Sequence, residues 1–227
     1  AADMLDAARL AMVPPFEVSV FADPSGAFTT AAATVAAVER QLKRVHRRTL
    51  EGLEVLVLGG TGPVGTAAAV LASGAGAKVK IASHSSANRA RMSSQVANAR
   101  YGATTEPVDA SSEDNKSAAI ARMDVVMSSA KAGVQNLSQQ LLKQAVRLLV
   151  AADINAVPPA GIEGVNLMDD GVPLAAGSGK AVGIGALAIG DIKYQVQHGL
   201  FEAMLQAEKP LYLDFREAFA LARKYVS

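Results

Sequence analysis

Residues 54–76 read EVLVLGGTGPVGTAAAVLASGAG, and the fold is decided in this stretch. Val55-Leu56-Val57-Leu58 is an apolar, valine-rich run of the kind that forms a buried strand. The turn Gly59-Gly60-Thr61-Gly62-Pro63-Val64-Gly65 follows, and then small residues of helical character from Thr66 to Ser73. Strand, tight turn and helix together carry G-x-G-x-x-G at Gly60, Gly62 and Gly65. Gly60 lets the chain leave the strand sharply. Gly62 lets the backbone approach a pyrophosphate with no Cβ between them, and Gly65 lets the helix sit close on the strand. The helix N-terminus then offers free N–H groups and its positive dipole end to the phosphates. Alone the glycine pattern is weak; between a clear strand and a clear helix it points to a bound dinucleotide. A glycine-rich turn that binds nothing is the bland alternative.

Outward from this unit the pattern repeats. Strands are expected at 78–83 (KVKIAS), 104–108, 123–128 (MDVVMS) and 147–152 (RLLVAA), with helices at 86–100, 114–122 and 135–145. Such alternation implies right-handed βαβ units and a parallel sheet. On the N-terminal side, a helix over 3–11 stops at Pro14-Pro15. A strand over 16–21 puts Phe16, Val18 and Val20 on one face, Asp23-Pro24-Ser25-Gly26 makes a turn, and a long helix covers 29–48. Beyond Pro173 come a glycine-rich run, a helix over about 182–206, a break at Pro210 and a last helix, 215–226, capped by Asp214. The fold class is therefore α/β: a Rossmann-like parallel sheet with helices on both faces, plus a smaller, partial α/β substrate lobe. Residues 31–204 are assigned to the dinucleotide-binding domain, and residues 1–30 with 205–227 to the lobe. Ala1-Ala2-Asp3-Met4-Leu5 reads as the inside of a helix with no initiator methionine, as a fragment would.

Composition narrows the function. Half of the 227 residues are hydrophobic, mostly small aliphatics, which argues for a packed core. The 22 basic and 21 acidic residues leave a net charge of +1, which gives no electrostatic footprint for nucleic acid or an anionic membrane. Without cysteine there are no disulfides, no thiolate catalysis and no thiolate metal site. No apolar run is long enough to span a bilayer and no signal peptide is visible, so a soluble, cytoplasmic protein is expected.

In an open parallel sheet, ligands gather at the carboxyl ends of the strands. Besides Gly60, Thr61, Gly62, Pro63, Val64 and Gly65, three further loops lie there. The second, around Ser83, His84, Ser85 and Arg89, starts 18 residues beyond Gly65, where an NAD site would carry an acid. Hydroxyls and cations stand there instead, and they suit a 2′-phosphate, so NADP is expected, with NAD tolerated. Arg89 reads equally well as a solvated helix charge. A third loop, with Ser129 and Ala130, is rich in backbone N–H groups and suits a nicotinamide ribose, or is a plain turn. The fourth contains Ala152, Asp153 and Asn155 ahead of Pro158-Pro159. Its polar side chains either contact the cofactor or build an Asx turn.

Catalytic machinery of the usual kinds is missing. His46, His84 and His198 lack metal-ligand spacing, so no metal site is expected, and no Ser–His or His–carboxylate arrangement can be built. Lys193 and Gln197 share a helix face, directed either into a cleft or to solvent. A dinucleotide site without an acid–base pair fits a hydride transfer that moves no proton, or a binding protein that does no chemistry.

Four stretches together carry a resemblance: FEVSVFADPSGAFTTAAA from residue 16, VLVLGGTGPVG from 55, ADINAVPPAGIEGV from 152 and AVGIGALAIGDIKYQVQH from 181. In this order and spacing, over nearly the whole chain, they resemble the NAD(P)-dependent methylene-tetrahydromethanopterin dehydrogenases of methylotroph one-carbon metabolism. The resemblance implies an oxidoreductase that moves a hydride from a reduced pterin to NADP or NAD. It implies that Asp23, Ser25, Thr29 and Thr30 line the pterin side, that Lys193 is a catalytic, orienting group with Gln197 beside it, and that the protein is a homo-oligomer, a trimer or hexamer. It also implies further N-terminal residues, forming much of the pterin lobe, that this sequence lacks. A methylene-tetrahydrofolate dehydrogenase and a non-catalytic NADP-binding module are the alternatives.

Overall fold

A computed structural model describes residues 3–129 and 131–227. The chain begins with α1 (Met4–Ala11) and a short β1 (Val20–Phe21). A 3-10 turn (Pro24–Gly26) leads into α2 (Ala27–His46). The regular part then runs β2 (Glu54–Leu58), α3 (Pro63–Gly74), β3 (Lys78–Ser83), α4 (Ala87–Tyr101), β4 (Thr105–Asp109), α5 (Glu113–Ile120), β5 (Val125–Ser128), α6 (Gln139–Gln144) and β6 (Val150–Asp153). It ends with β7 (Asp170–Pro173), β8 (Val182–Ile184), α7 (Ala186–Gln206), β9 (Tyr212–Leu213) and α8 (Phe215–Val226).

Seven strands form the main sheet in the order β4-β3-β2-β5-β6-β8-β7, all parallel except β7 at one edge. The order reverses between β2 and β5, so the turn after β2 lies at the topological switch point where such sheets bind ligands. Strand alternation divides the core. Val55 and Val57 face the layer of α2, α3, α7 and α8, while Leu56 and Leu58 face α5 and α6. Alanines surround α2, with Ala31, Ala32, Ala33, Ala36 and Ala37 buried, and this lets α3, α7 and α8 approach it closely.

Several expected boundaries move. Strand 16–21 shrinks to two residues, because its partner, β9, is itself two residues long, and Phe16 and Val18 stay exposed. The helix expected over 135–145 begins at Gln139, capped by the Ser138 hydroxyl. The helix expected from 182 is first a strand: Val182–Ile184 pairs with β6 and β7, and Gly185 then starts α7. A side chain at Gly185 would run into the carbonyls of Asn166 and Leu167. The division at residue 205 is not a packing boundary, since Phe215, Ala218, Phe219 and Ala222 of α8 join the same core as β2 and α3. The β1–β9 pair is a separate two-stranded sheet, yet Leu213 belongs to this core and Phe21 packs against it, while an ion pair from Asp3 to Arg100 ties down the start of α1.

Candidate functional site at the switch point

The glycine turn is built as its sequence requires. Gly60 packs where a Cβ would lie 2.9 Å from Ile81 Cγ2 and from the Val57 carbonyl. At Gly65 a Cβ would lie 2.6 Å from the Gly59 carbonyl, 2.6 Å from Ser129 Oγ and 2.7 Å from Gly60 Cα. Around Gly62 there is open space: a Cβ would meet only the Gly59 carbonyl, at 3.5 Å. Pro63 is the first helical residue, where its missing N–H costs nothing. No side chain caps α3, so the N–H groups of Val64 and Gly65 are left for a ligand. A cradle open over Gly62, beneath unpaired N–H groups at a helix N-terminus, fits the pyrophosphate of a dinucleotide. Thr61 stands half exposed at its lip, and Thr66 ties the turn together by donating its hydroxyl to the Gly60 carbonyl at 2.9 Å. Across the switch point, Ser129 donates both its N–H and its hydroxyl to the Leu58 carbonyl, at 2.9 and 3.0 Å. Ala130 lies outside the described residues.

The loop after β3 separates into two kinds of residue. Ser83 is fully buried, and its Oγ accepts the N–H of Ser85 at 3.3 Å, so it shapes the loop and offers nothing to a ligand. His84, Ser85 and Arg89 are exposed at the rim, beside the N-terminus of α4, whose cap is the Ser86 hydroxyl. Of the four residues expected to meet a 2′-phosphate, these three are exposed and Ser83 is not.

The fourth loop is likewise turned inward. Ala152 faces the core and is fully buried, because strand alternation directs it to the helix layer. The buried Asp153 carboxylate accepts the N–H of Asn155 at 3.1 Å and of Ile162 at 2.9 Å, and Ser128 bonds it from the neighbouring strand. Burial pushes its carboxyl above the ordinary value, against the pull of these bonds. Asn155 Oδ1 accepts the N–H groups of Gly133 and Val157, at 3.2 and 3.0 Å, and its Nδ2 donates to the Pro159 carbonyl at 2.8 Å. Asn155 thus staples the loop after β5 to the loop after β6. The side chains of Ser83, Ala152, Asp153 and Asn155 are thus turned into the protein, where they build the loops at the carboxyl end of the sheet.

The pterin-side candidates meet in space. Asp23 accepts the N–H groups of Phe28 and Thr29 and the Thr29 hydroxyl, at 2.8, 3.1 and 2.7 Å, and Thr30 donates to the Gly26 carbonyl at 2.6 Å. These bonds hold Ser25 (φ 53°) and Gly26 (φ 70°) in left-handed conformations, with Ser25 exposed. Half-buried Lys193 reaches this turn from α7: a Cβ at Gly26 would lie 2.6 Å from its Nζ. Gln197 stands one helical turn further along. The Asp23 carboxylate and the Thr29 hydroxyl are engaged in the turn itself, while exposed Ser25 and half-buried Lys193 and Gln197 carry polar side chains near it. Among the described residues no group of three or more His, Cys, Asp or Glu could hold a metal ion, and no helix is long and apolar enough to cross a membrane.

Comparison with known proteins supplies the family. No family model matches the sequence. The NAD(P)-dependent methylenetetrahydromethanopterin dehydrogenase of Methylorubrum extorquens is 45% identical over 222 residues, covering 98% of this chain and 74% of that protein. The chain belongs to this family. The bifunctional protein MdtA of the same organism is 27% identical over 221 residues, covering 97% of the chain and 73% of MdtA. Solved structures agree on the fold. Quinate dehydrogenase from Corynebacterium glutamicum in complex with NAD matches with a TM-score of 0.53 at 16% identity, over 96% of this chain and 80% of that one. Shikimate 5-dehydrogenase from Listeria monocytogenes, in complex with shikimate and NAD, matches with 0.52 at 15% identity, over 86% and 62%. Family membership thus joins a Rossmann-type sheet with an open glycine turn at its switch point.

Proposed function

We propose that this protein oxidises methylene-tetrahydromethanopterin to methenyl-tetrahydromethanopterin, with transfer of a hydride to NADP or NAD. The observation that carries the proposal is the 45% identity over 98% of the chain to a relative that bears this activity in its name. NADP or NAD, when bound, supplies the nicotinamide ring that accepts the hydride. The turn at Gly60, Thr61, Gly62, Pro63, Val64 and Gly65 holds the pyrophosphate; His84, Ser85 and Arg89 hold the 2′-phosphate. Ser129 and the loops stapled by Asn155 frame the nicotinamide end.

Loss of hydride from the methylene carbon leaves a cation shared by its two ring nitrogens, and no proton has to be removed. A site without an acid–base pair is therefore sufficient. The protein's work is to set two rings face to face and to exclude water. Ser25 and Lys193, at the mouth between α2 and α7, orient the pterin, and the Lys193 ammonium sits where it can hold an acceptor oxygen on that ring. The β1–β9 pair and the residues around it are the base on which the substrate lobe is built. The protein works as a homo-oligomer in the cytoplasm. Leu187, Tyr194, Phe201 and Leu205, all exposed along α7, support association through that helix.

The test is growth of the reduced-nicotinamide absorbance band when purified protein meets methylene-tetrahydromethanopterin and NADP. Faster turnover of methylene-tetrahydrofolate would move the assignment to the folate reaction. NADP binding without turnover of either would leave a binding module.

A further inference from the structure

We propose that Asp109 holds down this protein's preference for NADP over NAD. The inference rests on the reading above that a 2′-phosphate meets the loop after β3. The end of β3 carries no acid, but the end of the next strand does: Ser83 and Asp109 are register partners and the last residues of β3 and β4. Neighbouring strands stand about 4.8 Å apart, so Asp109 lies one strand spacing from the residue that opens the 2′-phosphate loop. Oδ1 of Asp109 accepts the Ser111 N–H at 2.9 Å, which holds the carboxylate at the carboxyl rim of the sheet. The bonds from Ser111 also keep its carboxyl below the usual range, and hence charged at neutral pH. Among the described residues Asp109 makes no ion pair, and Lys80, on the same pair of strands, is bound to Glu54.

A negative charge beside the 2′ position, outside any ion pair although Lys80 and Arg122 line the same surface cavity, acts on the two cofactors differently. It repels the 2′-phosphate of NADP, which carries close to two negative charges, and it leaves the 2′-hydroxyl of NAD unopposed or accepts a hydrogen bond from it. Both effects move the affinity ratio toward NAD. The Arg89 guanidinium and the hydrogen-bonding groups of His84 and Ser85 pull the other way, and the balance yields a protein that takes both cofactors. Asp109 is thus a specificity residue and needs no contact with the reacting atoms.

Asp109→Asn removes the charge and keeps an Oδ1 to accept the Ser111 N–H. Dissociation constants for NADP and for NAD, measured by calorimetry at low and high salt, read the effect. The NADP-to-NAD affinity ratio should rise about three- to tenfold at low salt, and the gain should shrink at high salt as screening weakens the lost repulsion. Arg89→Ala and His84→Ala, run in parallel, should lower the same ratio. A ratio that falls in these two variants but stays flat in Asp109→Asn overturns the role of Asp109. A ratio flat in all three places the 2′-phosphate elsewhere and overturns the cofactor reading with it. Equal weakening of NADP and NAD in Asp109→Asn would make Asp109 an adenosine contact or a loop former, and would also overturn the proposal.

Discussion

Gly65→Ala isolates the close approach of α3 to β2. The added methyl would lie 2.6 Å from the Gly59 carbonyl and from Ser129 Oγ, against an ordinary contact of at least 3.4 Å, a shortfall of 0.8 Å at each (3.4 − 2.6). Gly60 Cα, at 2.7 Å, closes the third side. Ser129 can turn away only by giving up its 3.0 Å bond to the Leu58 carbonyl, and the other two atoms are backbone of the turn itself. Relief therefore means lifting α3 or opening the turn. Overpacking of this kind costs about 1–3 kcal/mol. For a protein of this size that lowers the melting temperature by about 2–12 °C. Opening the turn also misaligns the N–H groups meant for the pyrophosphate. Loss of one bond to a charged group, about 1.5–3 kcal/mol, weakens NADP binding about 10- to 150-fold. Calorimetric titration of NADP measures this, with Gly74→Ala as the control, because no atom lies within 4 Å of a Cβ there. Gly65→Ala protein that folds and binds NADP within about twofold of the parent would refute the steric argument for the cradle.

Three further perturbations probe the rest of the site. Lys193→Ala should lower turnover about 10- to 100-fold, the scale of a misplaced substrate, while the NADP dissociation constant holds; unchanged turnover removes Lys193 from the site. Asn155→Ala strands the N–H groups of Gly133 and Val157 and the Pro159 carbonyl. Amide exchange at Gly133 and Val157 should quicken with a stability loss of about 1–3 kcal/mol, whereas unchanged exchange would deny the staple. Asp153 has a raised folded-state pKa, so its contribution to stability is complete below the unfolded pKa and lost as pH rises through the folded one. The unfolding free energy of the parent minus that of Asp153→Asn should therefore be larger near pH ~4 than near pH ~7 in urea titrations; a difference that grows with pH would contradict the burial argument.

The β2–turn–α3 unit was legible because all its determinants are local: an apolar run, three glycines at fixed spacing and a small-residue helix. The hairpin of β7 and β8 was not. Val182-Gly183-Ile184 sits in one apolar run with the helix that follows, and only the carbonyls of Asn166 and Leu167 against Gly185 show where strand ends and helix begins. The alternation at 16–21 was real, but strand length depends on a partner, and β9 is short. At the site, sequence placed Ser83, Asp153 and Asn155 at strand ends, yet no periodicity says whether a residue just past a strand turns in or out. Desolvation and backbone donors settled that question. Lys193 and Gly26 are 167 residues apart in sequence (193 − 26), so their meeting could be reached only through the resemblance. Asp109 carries no signal in the rule for cofactor choice, which looks at the end of β3 and not at its cross-strand neighbour.

The most direct test of the central claim is a rate comparison on one preparation. Purified protein with NADP is given methylene-tetrahydromethanopterin or methylene-tetrahydrofolate, and the reduced-nicotinamide band is followed. Rapid growth of the band with the methanopterin, and slower growth with the folate, is the predicted result. A protein that binds NADP tightly but yields no reduced nicotinamide from the methanopterin would contradict it.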